Sequence, residues 1–162
     1  MTETNGSGGS GAYPTKTQAL QAATDRIEKE ERSMTDEKIS LVKLISKAEG
    51  ATEPSCDLDA EIALLVGWTF TKMKGDKYPY WREPGVNKYY QRTDLLAFTK
   101  SIESALTLVP DGWRVFSMEQ TSPGGFWDVG AISGNTPYTI HYGKHKFLPI
   151  AICIAALKAR FV

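Results

Sequence analysis

At 162 residues and 17.9 kDa, with 41% apolar side chains, the chain has material for one hydrophobic core of ordinary domain size. Nineteen basic and nineteen acidic side chains cancel, which excludes a global field drawing it onto nucleic acid or an anionic membrane and leaves only local patches. The two cysteines, Cys56 and Cys153, lack any Cys-x-x-Cys or Cys/His ligand spacing, which argues against a zinc site and for reduced thiols in a reducing compartment.

The chain opens MTETNGSGGSG, with no basic-then-apolar leader, and no apolar run approaches the roughly 20 residues that span a bilayer. A soluble, cytoplasmic protein with no membrane partner is the expectation. Residues 1–16 have the Gly/Ser-rich composition of a flexible tail. Over residues 17–33, Leu20, Ala23 and Ile27 recur at helical spacing among many charges, predicting a peripheral helix with a thin apolar stripe. Met34 then opens a new unit, with Thr35 or Asp36 as helix cap, Glu37 in the first turn, and Ile39, Val42, Leu44 and Ile45 as a wider apolar face. Met34 as natural start, with the first 33 residues an extension, is one reading of that change; residues 34–162 form the expected single domain.

Gly50 to Pro54 breaks this helix, and Asp57 caps the next, whose Leu58, Ile62, Leu65 and Val66 share one face up to Gly67. Trp68 and Phe70 alternate with threonines in the period-2 pattern of a half-buried strand. Short strands follow at Tyr78–Arg82 and Asn87–Arg92, near a sheet edge where Pro79 is tolerated. Thr99 or Ser101 starts a helix carrying Ile102, Ala105, Leu106 and Val109, which Pro110-Asp-Gly stops. Strands at Trp113–Glu119, Gly125–Ile132 and Pro137–Tyr142 form a meander. The last segment, Leu148–Phe161, has Pro149 in its first turn and then no charge until Lys158, the pattern of a helix buried on all sides. The fold expected is α+β, an antiparallel sheet of about five strands layered between helices, with a buried C-terminal helix.

Three blocks in combination, Asp57-Leu-Asp-Ala-Glu-Ile-Ala, the run from Thr99 to Arg114 and Pro149 to Arg160, resemble the small phage and prophage proteins grouped as the phage ABA-sandwich domain, over about residues 39–160. The resemblance implies a sheet layered between helices, a phage or prophage origin, the cytoplasm of an infected or lysogenic bacterial cell, and a family without an assigned biochemical role. It does not extend to the first 33 residues, and the aromatic segment Tyr78–Tyr90 carries none of its motifs.

No catalytic constellation, metal site or cofactor motif emerges: a nucleophile elbow, a P-loop and a Gly-x-Gly-x-x-Gly loop are all absent. His141 and His145 are four apart but flank Gly143, so solvated histidines at a turn are favoured over metal ligands. Asp57, Asp59 and Glu61 read as cap and first-turn charge rather than an acid/base cluster. Trp113, Phe116 and Trp127 read as core rings. The candidate site is Tyr80, Trp81, Arg82, Tyr90 and Arg92, whose rings and guanidinium groups suit a stacked base, a phosphate or a protein surface. The alternative is one core face and one solvated edge.

The function expected is therefore non-enzymatic binding, first of a host or viral protein partner through the sheet edge or exposed aromatics, second of a nucleotide-type signal sequestered by Tyr80, Trp81, Arg82 and Arg92. A hydrolase using His141 or His145 comes last. The sequence carries no strong nucleic-acid signal and leaves oligomerisation open.

Overall fold

The computed structural model describes residues 16–71, 80–86, 89–90 and 96–160. The chain divides into two compact units, residues 1–37 and 38–162. In the first, the described residues belong to helix α1 (Lys16–Glu49), which runs on to Glu49 without interruption. The start expected at Met34 is therefore not a helix start. Thr35, read as a cap, instead donates its hydroxyl to the Glu31 carbonyl one turn back at 2.9 Å, a bond compatible with an unbroken helix. The tail expected at the N-terminus lies, through residue 15, outside the described residues.

In the second unit the end of α1 buries Leu41, Leu44 and Ala48, while Ile39 and Val42, expected on the apolar face, are exposed. The buried set repeats at three and four residues, so the packed face is rotated from the one expected. Helix α2 (Cys56–Leu65) is capped by Ser55, whose hydroxyl accepts the N–H groups of Asp57 and Leu58, so Asp57 is a first-turn residue rather than the cap. Leu58 and Ile62 are buried as the spacing predicts.

Among the described residues six strands then form two separate three-stranded antiparallel sheets rather than one sheet of about five. The small sheet comprises β1 (Thr69–Thr71), β2 (Tyr80–Arg82) and β3 (Tyr89–Tyr90), paired in chain order. The large sheet comprises β4 (Trp113–Gln120), β5 (Trp127–Ser133) and β6 (Ile140–His145), also in chain order. Alternation marks a strand but not its neighbour. Here helix α3 (Ile102–Leu106), capped by the Ser101 hydroxyl, separates β3 from β4 along the chain. The α+β class with antiparallel pairing holds.

Helix α4 (Leu148–Ala159) is the centre of the core: every residue from Ile150 to Leu157 is buried. It lies on β5 and β6, with α3 packed against it. Its approach to β6 is set by Gly143, since a Cβ there would meet the Ala151 carbonyl and lie 2.6 Å from the Ala155 nitrogen. Gly143, read as a turn residue, is thus a strand residue that admits a helix backbone.

Candidate functional site

The small sheet places the predicted site residues on opposite sides. Trp81 pairs with Phe70 and Tyr90 across the ladder, and its ring centroid lies 4.9 Å from that of Phe70. It is only 3% exposed and belongs to the core, so the ring expected to be available for stacking is not. Its indole N–H is buried without a hydrogen-bond partner. Arg82 is exposed, donates its Nε to the Val86 carbonyl at 3.4 Å and lies over the Tyr89 ring at 5.9 Å. Tyr80 is half-buried on the next position of the strand. Arg92 and Tyr78 lie outside the described residues.

Of the predicted set, Tyr90 lines a cavity. That cavity, about 390 Å³, is bounded by Trp68, Glu83, Tyr90, Ser104, Thr107 and Arg160, over an apolar floor that includes Phe98 and Leu108. Trp68 and Tyr90 form a tilted ring pair at 5.7 Å. The Tyr90 hydroxyl donates to Glu83 Oε2 at 3.3 Å. Arg160 donates one Nη2 bond to the Leu108 carbonyl at 3.1 Å. Desolvation lowers the Arg160 pKa from its ordinary value, and Asp111 partly offsets this. Trp68 and Arg160 were not among the residues selected from sequence, because the cavity is assembled from the α2 end, the small sheet, α3 and the α4 end, which share no local pattern.

A second surface lies on the face of the large sheet turned away from α4. The register puts Arg114, Ile132 and Ile140 in one row, Ser117, Gly130 and Tyr142 in the next, and Glu119, Asp128 and Lys144 in a third. Between Val115 and Ser117 the register shifts, and the extra residue, Phe116, lays its ring over Gly130. There it meets Tyr142 edge-on at 6.3 Å. Phe116 is 47% exposed and Tyr142 55%, so Phe116 is not the core ring expected: it follows Arg114 by two residues onto the open face, and the bulge brings Ser117 onto that face beside it. Trp113 and Trp127 do pack against the core.

The histidines are not at a turn. Both sit on β6, on one face. His145 is buried, with Nε2 2.8 Å from the Ala51 carbonyl and Nδ1 accepting the Phe147 N–H at 3.0 Å, which fixes the Nε2-protonated tautomer. His141 forms a tilted ring pair with Trp113 at 5.4 Å, its Nε2 buried and without a partner among the described residues. Neither has a carboxylate partner among the described residues, and no group of three metal-capable side chains occurs among them.

Asp59 also departs from its sequence reading. It is 3% exposed, and its Oδ1 accepts the Thr99 N–H at 2.7 Å. Thr99 Oγ1 in turn accepts the Ser55 N–H at 3.1 Å, and the Cys153 thiol donates to the Phe98 carbonyl at 3.3 Å. Burial raises the Asp59 pKa, the Thr99 hydrogen bonds and Lys100 opposing it. This cluster ties α2, the segment before α3, and α4 together.

No protein-family model, curated protein or solved structure matches the chain. Among the described residues no helix is long and apolar enough to cross a membrane.

Proposed function

We propose that the chain is a small non-catalytic binding protein of phage or prophage origin, acting in the bacterial cytoplasm, that engages a host or viral protein through the open face of the large sheet. The observation that carries this reading is the exposed Phe116–Tyr142 pair, standing over Gly130 beside Ile132 and Ile140. Aromatic rings that expose this much area without a covering helix are the groups enriched at the centre of protein interfaces.

The chemistry of the rim favours a protein over a nucleic acid. Glu119 and Asp128 share one end with Lys144, which pairs with Asp128 at 3.8 Å, and among the described residues of these three rows Arg114 is the cation at the other end. That mixed rim does not present the basic stripe phosphate recognition needs. By strand spacing the face measures about 10 Å by 20 Å, well under the ~800 Å² per partner of a standard interface, so a weak, transient complex is expected.

The test compares proteins cross-linked in host lysate to the parent chain and to the double variant Phe116→Ala, Tyr142→Ala, after circular dichroism has shown that the variant folds. A partner held by the parent and lost by the variant supports the reading. The same set of partners on both chains rejects it.

A further inference from the structure

We infer that the cavity between the small sheet, α3 and the end of α4 binds a small molecule that joins a planar ring with an N–H donor edge to an anionic group. It shares no residue with the sheet face above, so it extends the function rather than restating it.

The cavity carries two opposite charges that do not neutralise each other. Glu83 and Arg160 both line it, yet they form no ion pair within 4.0 Å. Each is only partly satisfied by protein. Glu83 uses Oε2 for the Tyr90 hydroxyl, and among the described residues Oε1 has no donor. Arg160 uses one N–H for the Leu108 carbonyl, and among the described residues the rest of its fork has no acceptor. Its lowered pKa reflects the water it has already lost there, so an incoming anion meets a cation that is cheap to desolvate further.

The remaining walls specify what lies between the two charges. Trp68 and Tyr90 offer ring surface on one side, and Phe98 and Leu108 give an apolar floor. Thr107 donates its hydroxyl proton to the Ser104 carbonyl at 2.7 Å, which leaves its oxygen able to accept, and the Ser104 hydroxyl has no partner among the described residues. The volume, about 390 Å³, lies at the lower end of the ~300–1,000 Å³ typical of small-molecule sites, enough for one ring system with a short anionic arm. The ring stacks on Trp68, its N–H edge donates to Glu83, and its anionic group takes the Arg160 fork.

A nucleoside monophosphate and an aromatic amino acid both have this chemistry, and titration calorimetry with adenosine monophosphate, adenosine and tryptophan separates them. Binding of adenosine monophosphate or tryptophan that falls roughly tenfold or more in Arg160→Gln, and also weakens in Glu83→Gln, supports the site and identifies its ligand class. Adenosine, lacking the anion, then binds equally to the parent and to Arg160→Gln. Two results overturn the inference: no heat from either anionic probe up to about 1 mM, or binding unchanged in both variants. Because Glu83 lies beyond β2 and outside the core, its variant keeps the test valid if Arg160→Gln unfolds.

Discussion

Replacing Gly143 by alanine adds a single methyl group where the backbone of α4 already lies. The new Cβ would sit 2.6 Å from the Ala155 nitrogen and 3.1 Å from the Ala151 carbonyl carbon, with the Ala151 oxygen closer still. All three are main-chain atoms of a helix buried on every side, so no side chain can swing away and the whole helix must lift from β5 and β6. Overpacking a well-packed site costs about 1–3 kcal/mol, and a backbone-on-backbone clash belongs at the top of that range, near 3 kcal/mol. Alanine in a strand would otherwise gain about 0.5–1 kcal/mol over glycine, so the clash must overcome that as well. The net cost is then about 2–2.5 kcal/mol, and with an m-value of about 2 kcal/mol/M the urea midpoint should fall by about 1–1.25 M. Gly130→Ala is the matched control, because its Cβ meets the Phe116 ring and the Ser117 hydroxyl, side-chain atoms at a surface bulge. It should cost about 1 kcal/mol. Urea unfolding followed by far-UV circular dichroism measures both; a Gly143→Ala cost below about 1 kcal/mol, or no larger than that of Gly130→Ala, refutes the close-packing argument.

Asp59→Asn keeps an oxygen for the Thr99 N–H and removes the buried charge. Because the folded-state pKa is raised above 3.8, the contribution of this group is full below 3.8 and is lost as pH rises through the folded value. The asparagine variant should therefore gain on the parent as pH rises from about 3 to 7, and a variant-minus-parent difference in urea midpoint that stays constant or falls over that range contradicts this. Ser55→Ala removes the acceptor of two α2 N–H groups and should cost about 1 kcal/mol by thermal unfolding, with no loss counting against the cap. A thiol reagent should modify the exposed Cys56 quickly and Cys153 only on unfolding, since burial pushes the Cys153 thiol well above its ordinary pKa; two fast thiols in the native protein would contradict that burial.

Helix α4 was legible because an apolar run without charge has only one stable place in a small domain, and the α2 stripe was legible because its spacing closes on one face. Pairing was harder to read. Nothing in the alternation of β3 or β4 states that helix α3 will part them into different sheets. Gly143 has the composition of a turn, and the reason for a glycine there is a helix that follows it in sequence and folds back over it. Asp59 looks like first-turn charge until its position puts it against Thr99, forty residues away. The candidate site was read from one aromatic cluster, and of that cluster Tyr90 reached the cavity while Trp81 went to the core. Trp68, Glu83 and Arg160 carry no shared periodicity, so only the fold brings them together.

The indole N–H of Trp81 bears on how the small sheet behaves. Trp81 is the one buried side chain of its strands among the described residues. The same ring that ties the sheet to the core also carries an unpaired donor, a cost of about 1–3 kcal/mol set against the gain from burying the ring. The sheet is thus held by a weakened anchor, while β4, β5, β6 and α4 close on each other without it. Sub-global opening should start here: amide hydrogens of β2 exchange with solvent well before those of β5, and Trp68 and Tyr90 separate from α3 while the rest of the domain stays folded. A wall that opened in this way would let the small molecule inferred for the cavity enter and leave without unfolding the protein around it.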